Sequence, residues 1–405
     1  MKNIIVILCF LFVSSLARGQ SLKSHIQVAE MNNPEVQAYE IRYAISKEKV
    51  AEADALPNME LSAGLFVSEP ETRTGAQKAR FSVKQMLPWF GTITARENYA
   101  NALAEVDYLD IAIMKRKLRL SVSQSYYKLY AIDRKQAVLE ENIQLLKTYE
   151  ILALTAVEVG KASAVDVLRL QIRQNDLQEE QEVLTYAFLA ERNAFNHLLN
   201  RDETLDIEMV DSLFIDADYE NDTMELGLHP ELEKYDRLYE SVTQSEIVNQ
   251  TEANPNLGFG LDYIPVAERA GMNFSDNGKD ILMPMVSLSI PIFNNKYRSL
   301  TAQNELRKEE INAEKMNRRN RLKTILADAI NNREAQKIKF KTQLKNLRQA
   351  KDAEEILIKN YETGTIDFND VLDIQELQLR FQMNGIEAIK NYYMQMAIIN
   401  YLTNQ

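Results

Sequence analysis

Apolar residues recur with two different periods along this chain. From Met59 to Val67 they occupy every second position (Met59, Leu61, Ala63, Leu65, Val67), and after the polar stretch Ser68 to Ala79 the alternation resumes at Phe81 and Val83. A second such pair covers Leu257, Phe259, Leu261 and Tyr263, then Val286, Leu288 and Ile290. A period of two with one apolar face predicts a strand, so each pair predicts a β-hairpin. Between and after these runs the chain is helical in pattern. The stretches from about Thr92 to Glu158 and from about Tyr297 to Glu362 contain neither glycine nor proline, and at ~1.5 Å per residue each would extend on the order of 100 Å. Leu170, Leu177 and Leu184 recur every seventh residue, and Ile374, Phe381 and Ala388 take the equivalent places later, which predicts coiled-coil packing.

The chain repeats itself. VEVGKASAVDVL (Val157 to Leu168) and YETGTIDFNDVL (Tyr361 to Leu372) share glycine, a polar cap, aspartate, valine and leucine in one order, with Gly160 and Gly364 standing 204 residues apart. Each copy predicts a tight helical hairpin. Gly160 and Gly364 suit the left-handed turn that ends a helix, Ser163 and Asp367 suit the cap that opens the next, and Asp166 and Asp370 fall three residues later at the capping-box position. PEVQAYEIRY (Pro34 to Tyr43) matches PELEKYDRLY (Pro230 to Tyr239), and NHLLN (Asn196 to Asn200) matches NYLTN (Asn400 to Asn404). Prolines 57 and 88 bracket the first strand hairpin and prolines 255 and 291 the second, as expected of residues that neither continue a helix nor donate to a central ladder.

These signals divide the chain into an expected signal peptide (1–19), a first repeat (20–200, strand hairpin 58–88, helical tip near 160–166), an inter-repeat linker (201–229), and a second repeat (230–405, strand hairpin 256–291, helical tip near 364–370). The signal reading rests on Lys2, the apolar run Ile4 to Val13 and the small residues Ala17 and Gly19, which place the mature start at Gln20. The single cysteine, Cys9, falls inside that segment, so neither a disulfide nor a thiol nucleophile is expected in the mature chain.

Composition narrows the function. A net charge of −12, with Lys and Arg scattered among Glu and Asp, disfavours a nucleic-acid groove. The histidines His25, His197 and His229 stand in unrelated contexts, and no phosphate-cradling loop, metal-ligand pair or nucleophile motif is present, so an enzyme is not expected and no cofactor is implied. Met283, Met285, Met394 and Met396 are read as core or lipid-facing packing rather than as a soft-metal relay.

No later segment offers the ~20 apolar residues of a transmembrane helix, so a membrane would have to be crossed by strands. Four strands cannot close alone, because open edges are not tolerated in lipid and known barrels begin at about eight strands. Three chains sharing one barrel would supply twelve strands.

The duplicated layout, the run Tyr361 to Asp373 with its partner Val157 to Leu168, and the pairs Pro88/Phe90 and Pro291/Phe293 together resemble the TolC-like outer-membrane efflux protein family over essentially the whole mature chain. The run QMLPWFG (Gln85 to Gly91) is similar to the heavy-metal efflux branch. The resemblance implies a mainly α fold with a small β part. Duplicated helix, β-hairpin and long coiled-coil helix repeats would build a trimeric α-barrel and a shared 12-stranded transmembrane β-barrel, with residues 201–229 in an equatorial band. It implies a passive outer-membrane channel-tunnel as homotrimer, with a large periplasmic portion, working with a periplasmic adaptor and an inner-membrane pump. At the periplasmic tip it assigns acidic rings to Asp370 and Asp373, and a tyrosine latch to Tyr361, reaching the first hairpin near Asp166. Relatives often carry arginine where this chain has Ile366.

The residues themselves leave alternatives open. Helix capping alone explains Asp166 and Asp370. Asp373 shares a face with Asp370 and is read as pore-facing or as part of a solvated outer face. Tyr361 is read as latch or as coiled-coil packing. Trp89, Phe90, Phe293 and Tyr297, next to the strand ends, suit the aromatic girdle of a membrane-water interface. Two other functions stand beside the channel: a periplasmic adaptor, which would carry one helical hairpin within a β-domain, and a structural coiled-coil envelope protein, which would lack the strands.

Overall fold

The computed structural model describes residues 22–160, 163–215, 226, 228–292, 295–363, 365, 366 and 368–403. The expected signal peptide, Gly364, Asp367, Phe293 and part of the linker lie outside them.

Seven helices are described: α1 Leu22–Asn32, α2 Pro34–Ala53, α3 Thr92–Glu158, α4 Ala164–Leu198, α5 Pro230–Glu252, α6 Lys296–Glu362 and α7 Phe368–Thr403. The breaker-free stretches are single helices of 67 residues each, α3 and α6. The strands are β1 Glu60–Leu65, β2 Glu71–Thr72, β3 Gly75–Gln77, β4 Ala79–Leu87, β5 Asn256–Ile264, β6 Val266–Ala267 and β7 Ile281–Ser289. Among the described residues no helix is long and apolar enough to cross a membrane.

The chain forms two compact units, each drawing on both sequence repeats. One comprises Tyr39–Ile111 and Pro230–Arg318, the other the remaining segments. In the first, the two hairpins join into one antiparallel four-stranded sheet in the order β1-β4-β5-β7. Register aligns the alternating residues across all four strands. Leu61 opposes Val83, which opposes Leu261 and then Pro284, while Leu87, Leu257 and Leu288 form another row. One face is therefore apolar apart from Gln85, which opposes Phe259, yet it is exposed to an unusual degree: Leu61 is 72% and Val286 73% accessible. The opposite face carries Ser62, Ser82, Lys84 and Ser287, and on it Asp262, fully buried, forms an ion pair with Arg80. Glycines give this face room. A Cβ on Gly258 would lie 2.5 Å from Met86 Sδ, so the thioether occupies the space that a side chain would need.

The methionine reading needs correction on this sheet. Met283 and Met285 oppose Asp262 and Gly260, so they belong to the polar face and are neither core nor on the apolar face. Their odd register positions alternate with Leu282, Pro284 and Val286, and period-two geometry leaves them no other side. The stretches between the strands of each hairpin, Ser68 to Ala79 and Pro265 to Asp280, hold structure of their own. Strands β2, β3 and β6 within them form a separate three-stranded sheet linking the two hairpins. Arg73 pairs with Asp276, and Arg269 with Glu71 at 2.9 Å.

In the same unit, Glu246 on α5 is buried and accepts four hydrogen bonds: from Thr301 Oγ1 (2.8 Å), Asn304 Nδ2 (2.8 Å), Gln250 Nε2 (3.2 Å) and Asn249 Nδ2 (3.4 Å). Burial pushes its carboxyl pKa up, but these donors pull harder and leave it below the ordinary glutamate value.

The second unit has two apolar clusters. One gathers Ala29, Val36, Leu118, Val122, Tyr126, Leu129, Phe195, Leu199 and Ile207. The described start of the linker is strapped onto it, Val210 N–H donating to the Tyr126 hydroxyl and Leu213 N–H to that of Tyr130, both at 3.0 Å. The other cluster runs along the helical hairpins through Leu139, Leu146, Leu170, Leu177, Val371 and Leu379. Leu170 and Leu177 are buried there, and Leu184 packs against them, as their seven-residue spacing predicts. In α7 the seam is the expected one only in part: Ala388 is buried. Ile374 and Phe381 are half-buried, while Val371, Gln375 and Gln378 are buried. Two glutamines can occupy a seam because their amide N–H groups find acceptors: Gln375 Nε2 donates to Asn142 Oδ1 (2.6 Å), and Gln378 Nε2 to Glu354 Oε2 (2.8 Å). A count of apolar residues passes over them.

Candidate functional site

The turn between α3 and α4 is built as its sequence demands. Gly160 has φ +72°, and its N–H donates to Val157 O at 3.0 Å, ending α3 in the left-handed region that favours glycine. Ser163 caps α4: Val165 N–H donates to Ser163 Oγ (3.2 Å), and Ser163 N–H donates to Asp166 Oδ2 (3.1 Å). Asp166 is thereby a buried half of a reciprocal cap and favours the helix dipole as well.

The second tip is organised by Phe368, the first residue of α7, which is almost fully buried. Tyr361 meets its ring edge-on at 4.9 Å and Tyr149 at 5.8 Å. Ile366 packs against the same cluster, so this position holds an apolar contact. The Tyr149 hydroxyl donates to Glu354 Oε1 at 2.7 Å. Burial, and then the bond to that carboxylate, push its pKa far above the ordinary tyrosine value, so it remains a neutral donor.

Asp370 is the third residue of α7, exposed, in the first turn where an acid favours the helix dipole. Asp373 is exposed too, but it lines an open cleft of about 370 Å³ between α4 and α7 together with Arg169, Arg173, Asp176, Asn369 and Glu376. Arg169 Nη1 donates to Asn369 Oδ1, joining the two helices. Two guanidiniums thus share the space into which Asp373 opens. Sequence reasoning missed Arg169 and Arg173. The repeat held a signal for the first, since Arg169 stands 204 residues before Asp373, at the equivalent position of the duplicated frame.

Of the residues assigned to a membrane interface, Trp89 is half-buried and Phe90 is 80% accessible, their rings edge-on at 5.8 Å just past the end of β4. Tyr297 is the second residue of α6, half-buried, with Lys296 Nζ 5.3 Å from its ring. No cluster of His, Cys, Asp and Glu able to hold a metal occurs among the described residues.

Comparison with known proteins places this architecture. No protein-family model matches the chain, and no curated protein does. Solved structures do match, several of them outer-membrane channels of the TolC-like fold. The outer membrane protein VceC from Vibrio cholerae superposes with a TM-score of 0.74 at 15% identity, covering 94% of this chain and 95% of that one. A membrane protein from Pseudomonas aeruginosa gives 0.77 at 15% identity, covering 95% and 90%. The MtrE outer membrane channel of Neisseria gonorrhoeae, in its open state, gives 0.73 at 14% identity, covering 94% and 88%. The likeness at these identities is one of fold, and it extends over nearly the whole chain.

Proposed function

We propose that this chain, which has the fold of the outer-membrane channels, is one protomer of a homotrimeric efflux channel. The observation that carries the reading is the four-stranded sheet. Its apolar face is exposed from edge to edge, and its outer strands β1 and β7 have no partner on their far sides among the described residues. Such a sheet is stable in lipid only if the edges are closed, and three copies joined β7 to β1 would close a barrel of twelve strands. The nine-residue strands β4, β5 and β7 suit the ~9–11 residues that a tilted strand needs to cross a bilayer. The polar face then lines the lumen.

The helical hairpins provide the periplasmic conduit, with the turn at Gly160 and the first turn of α7 at its narrow end. Asp370, Asp373, Tyr361 and Asp166 form the gate. A periplasmic adaptor and an inner-membrane pump supply the driving force. An adaptor or a coiled-coil envelope protein would not need an exposed four-stranded apolar face.

The test is direct. The purified full chain in mild detergent should have the mass of a trimer by light scattering and should produce stepwise conductance in planar bilayers. A stable monomer without conductance would sink the reading.

A further inference from the structure

The second unit contains a partly enclosed cavity of about 520 Å³ bounded by α1, α3 and α7. Its volume falls in the range of ~300–1,000 Å³ typical of small-molecule sites. Leu120, Met396 and Ile26 give it an apolar lining, Tyr127 and Tyr393 form an aromatic wall with ring centroids 5.2 Å apart, and Arg116 and Arg119, with Lys23 on α1, bring positive charge. The channel function uses none of these residues.

The two arginines are not equivalent. They stand three residues apart on one helix face, where like charges repel. Arg119 is paired with Glu30. Arg116 has one hydrogen bond among the described residues, from Nη1 to the Tyr401 carbonyl at 3.4 Å, and no carboxylate partner. Burial first, and the Arg119 charge second, depress its pKa below that of an ordinary guanidinium. A half-buried cation without a counter-charge costs stability, and a bound anion would offset that cost.

We propose that this cavity binds an aromatic carboxylic acid, with the carboxylate on Arg116 and the ring on the tyrosine wall. A carboxylate matches the guanidinium fork in charge and geometry. An inorganic anion would leave the apolar lining unfilled, and a neutral aromatic compound would leave Arg116 without its partner. By joining α1, α3 and α7, such a ligand would also stabilise the fold that contains them. The inference is independent of the channel function.

The experiment is equilibrium dialysis of 2-naphthoate against the purified full chain in a non-ionic detergent, corrected for partition into protein-free micelles. Saturable binding of about one molecule per chain is expected, at least tenfold tighter than that of the neutral 2-naphthalenemethanol. Arg116→Gln should weaken it at least tenfold and Arg116→Lys less. Leu120→Trp, which fills the cavity without touching the charge, should abolish it. Circular dichroism checks that each variant keeps its helices, and the wild-type comparison of acid with alcohol needs no variant. Absence of saturable binding, including the case in which a second copy of the chain fills the space, overturns the proposal. So does binding that survives both Arg116→Gln and Leu120→Trp.

Discussion

Arg169 on α4 donates a hydrogen bond to Asn369 on α7, and the bond lies in the cleft that Asp373 lines. Asp370 and Asp373, alike in sequence, therefore have different electrostatic settings. In a trimer, acids at the narrow end would attract cations. Asp370→Asn should remove more of the cation preference in planar-bilayer recordings than Asp373→Asn, which shares its cleft with Arg169 and Arg173 as well as with Asp176 and Glu376. Replacing both arginines with Gln should raise the preference. Equal effects of the two aspartates would show that the cleft does not shape the gate.

Adjacent residues on β7 make a sharper test of the barrel. Val286 belongs to the apolar face and Ser287 to the polar one. Val286→Lys should destabilise the protein in lipid by about 2–4 kcal/mol if it lies near the bilayer midplane, whereas Ser287→Lys should be tolerated and alter conductance. Urea unfolding from vesicles measures the difference.

The reciprocal cap at Ser163 and Asp166 predicts a stability effect that needs no gating. Ser163→Ala should cost about 0.5–2 kcal/mol, read as a lower denaturation midpoint. Gly160→Ala should cost about 1–2 kcal/mol because φ at that position is positive. Asp166→Asn should raise conductance if the aspartate also holds the gate closed, and leave it unchanged if capping is its whole role.

Glu246 gives the first unit a pH dependence. Its folded pKa lies below the unfolded value, so its contribution is present above about pH 4.3 and is lost as pH falls through the folded pKa. Thermal stability should decline below pH 5, and Glu246→Gln should flatten that decline. Glu246→Ala, which strands four donors, should cost about 2–4 kcal/mol at neutral pH. An acid transition identical in wild type and Glu246→Gln would assign the decline to other carboxylates.

Topology can be read from cells. If Trp89 and Tyr297 mark the periplasmic rim, as the proposed channel requires, the loop around Thr74 would face outward. Thr74→Cys should react with an impermeant thiol reagent on intact cells. Labelling only after lysis would reverse the orientation.

The sequence by itself determined what is set locally. The period of two located both hairpins, the absence of breakers set α3 and α6 almost to the residue, and glycine, serine and aspartate at fixed offsets specified the turn after Glu158. Each of these depends on backbone preferences and neighbours within one or two turns, so a linear pattern carries it. The tertiary structure decided what depends on which distant segments meet. It joined the two hairpins through β4 and β5, and this pairing placed Met283 and Met285 on the polar face. It put Gln375 and Gln378 into the seam of α7, where Asn142 and Glu354 on other helices accept from their amide N–H groups. It set Arg169 and Arg173 beside Asp373 and left Arg116 facing a cavity without a carboxylate. Burial and pairing of polar groups are properties of an environment assembled from remote parts of the chain, and no local period encodes them.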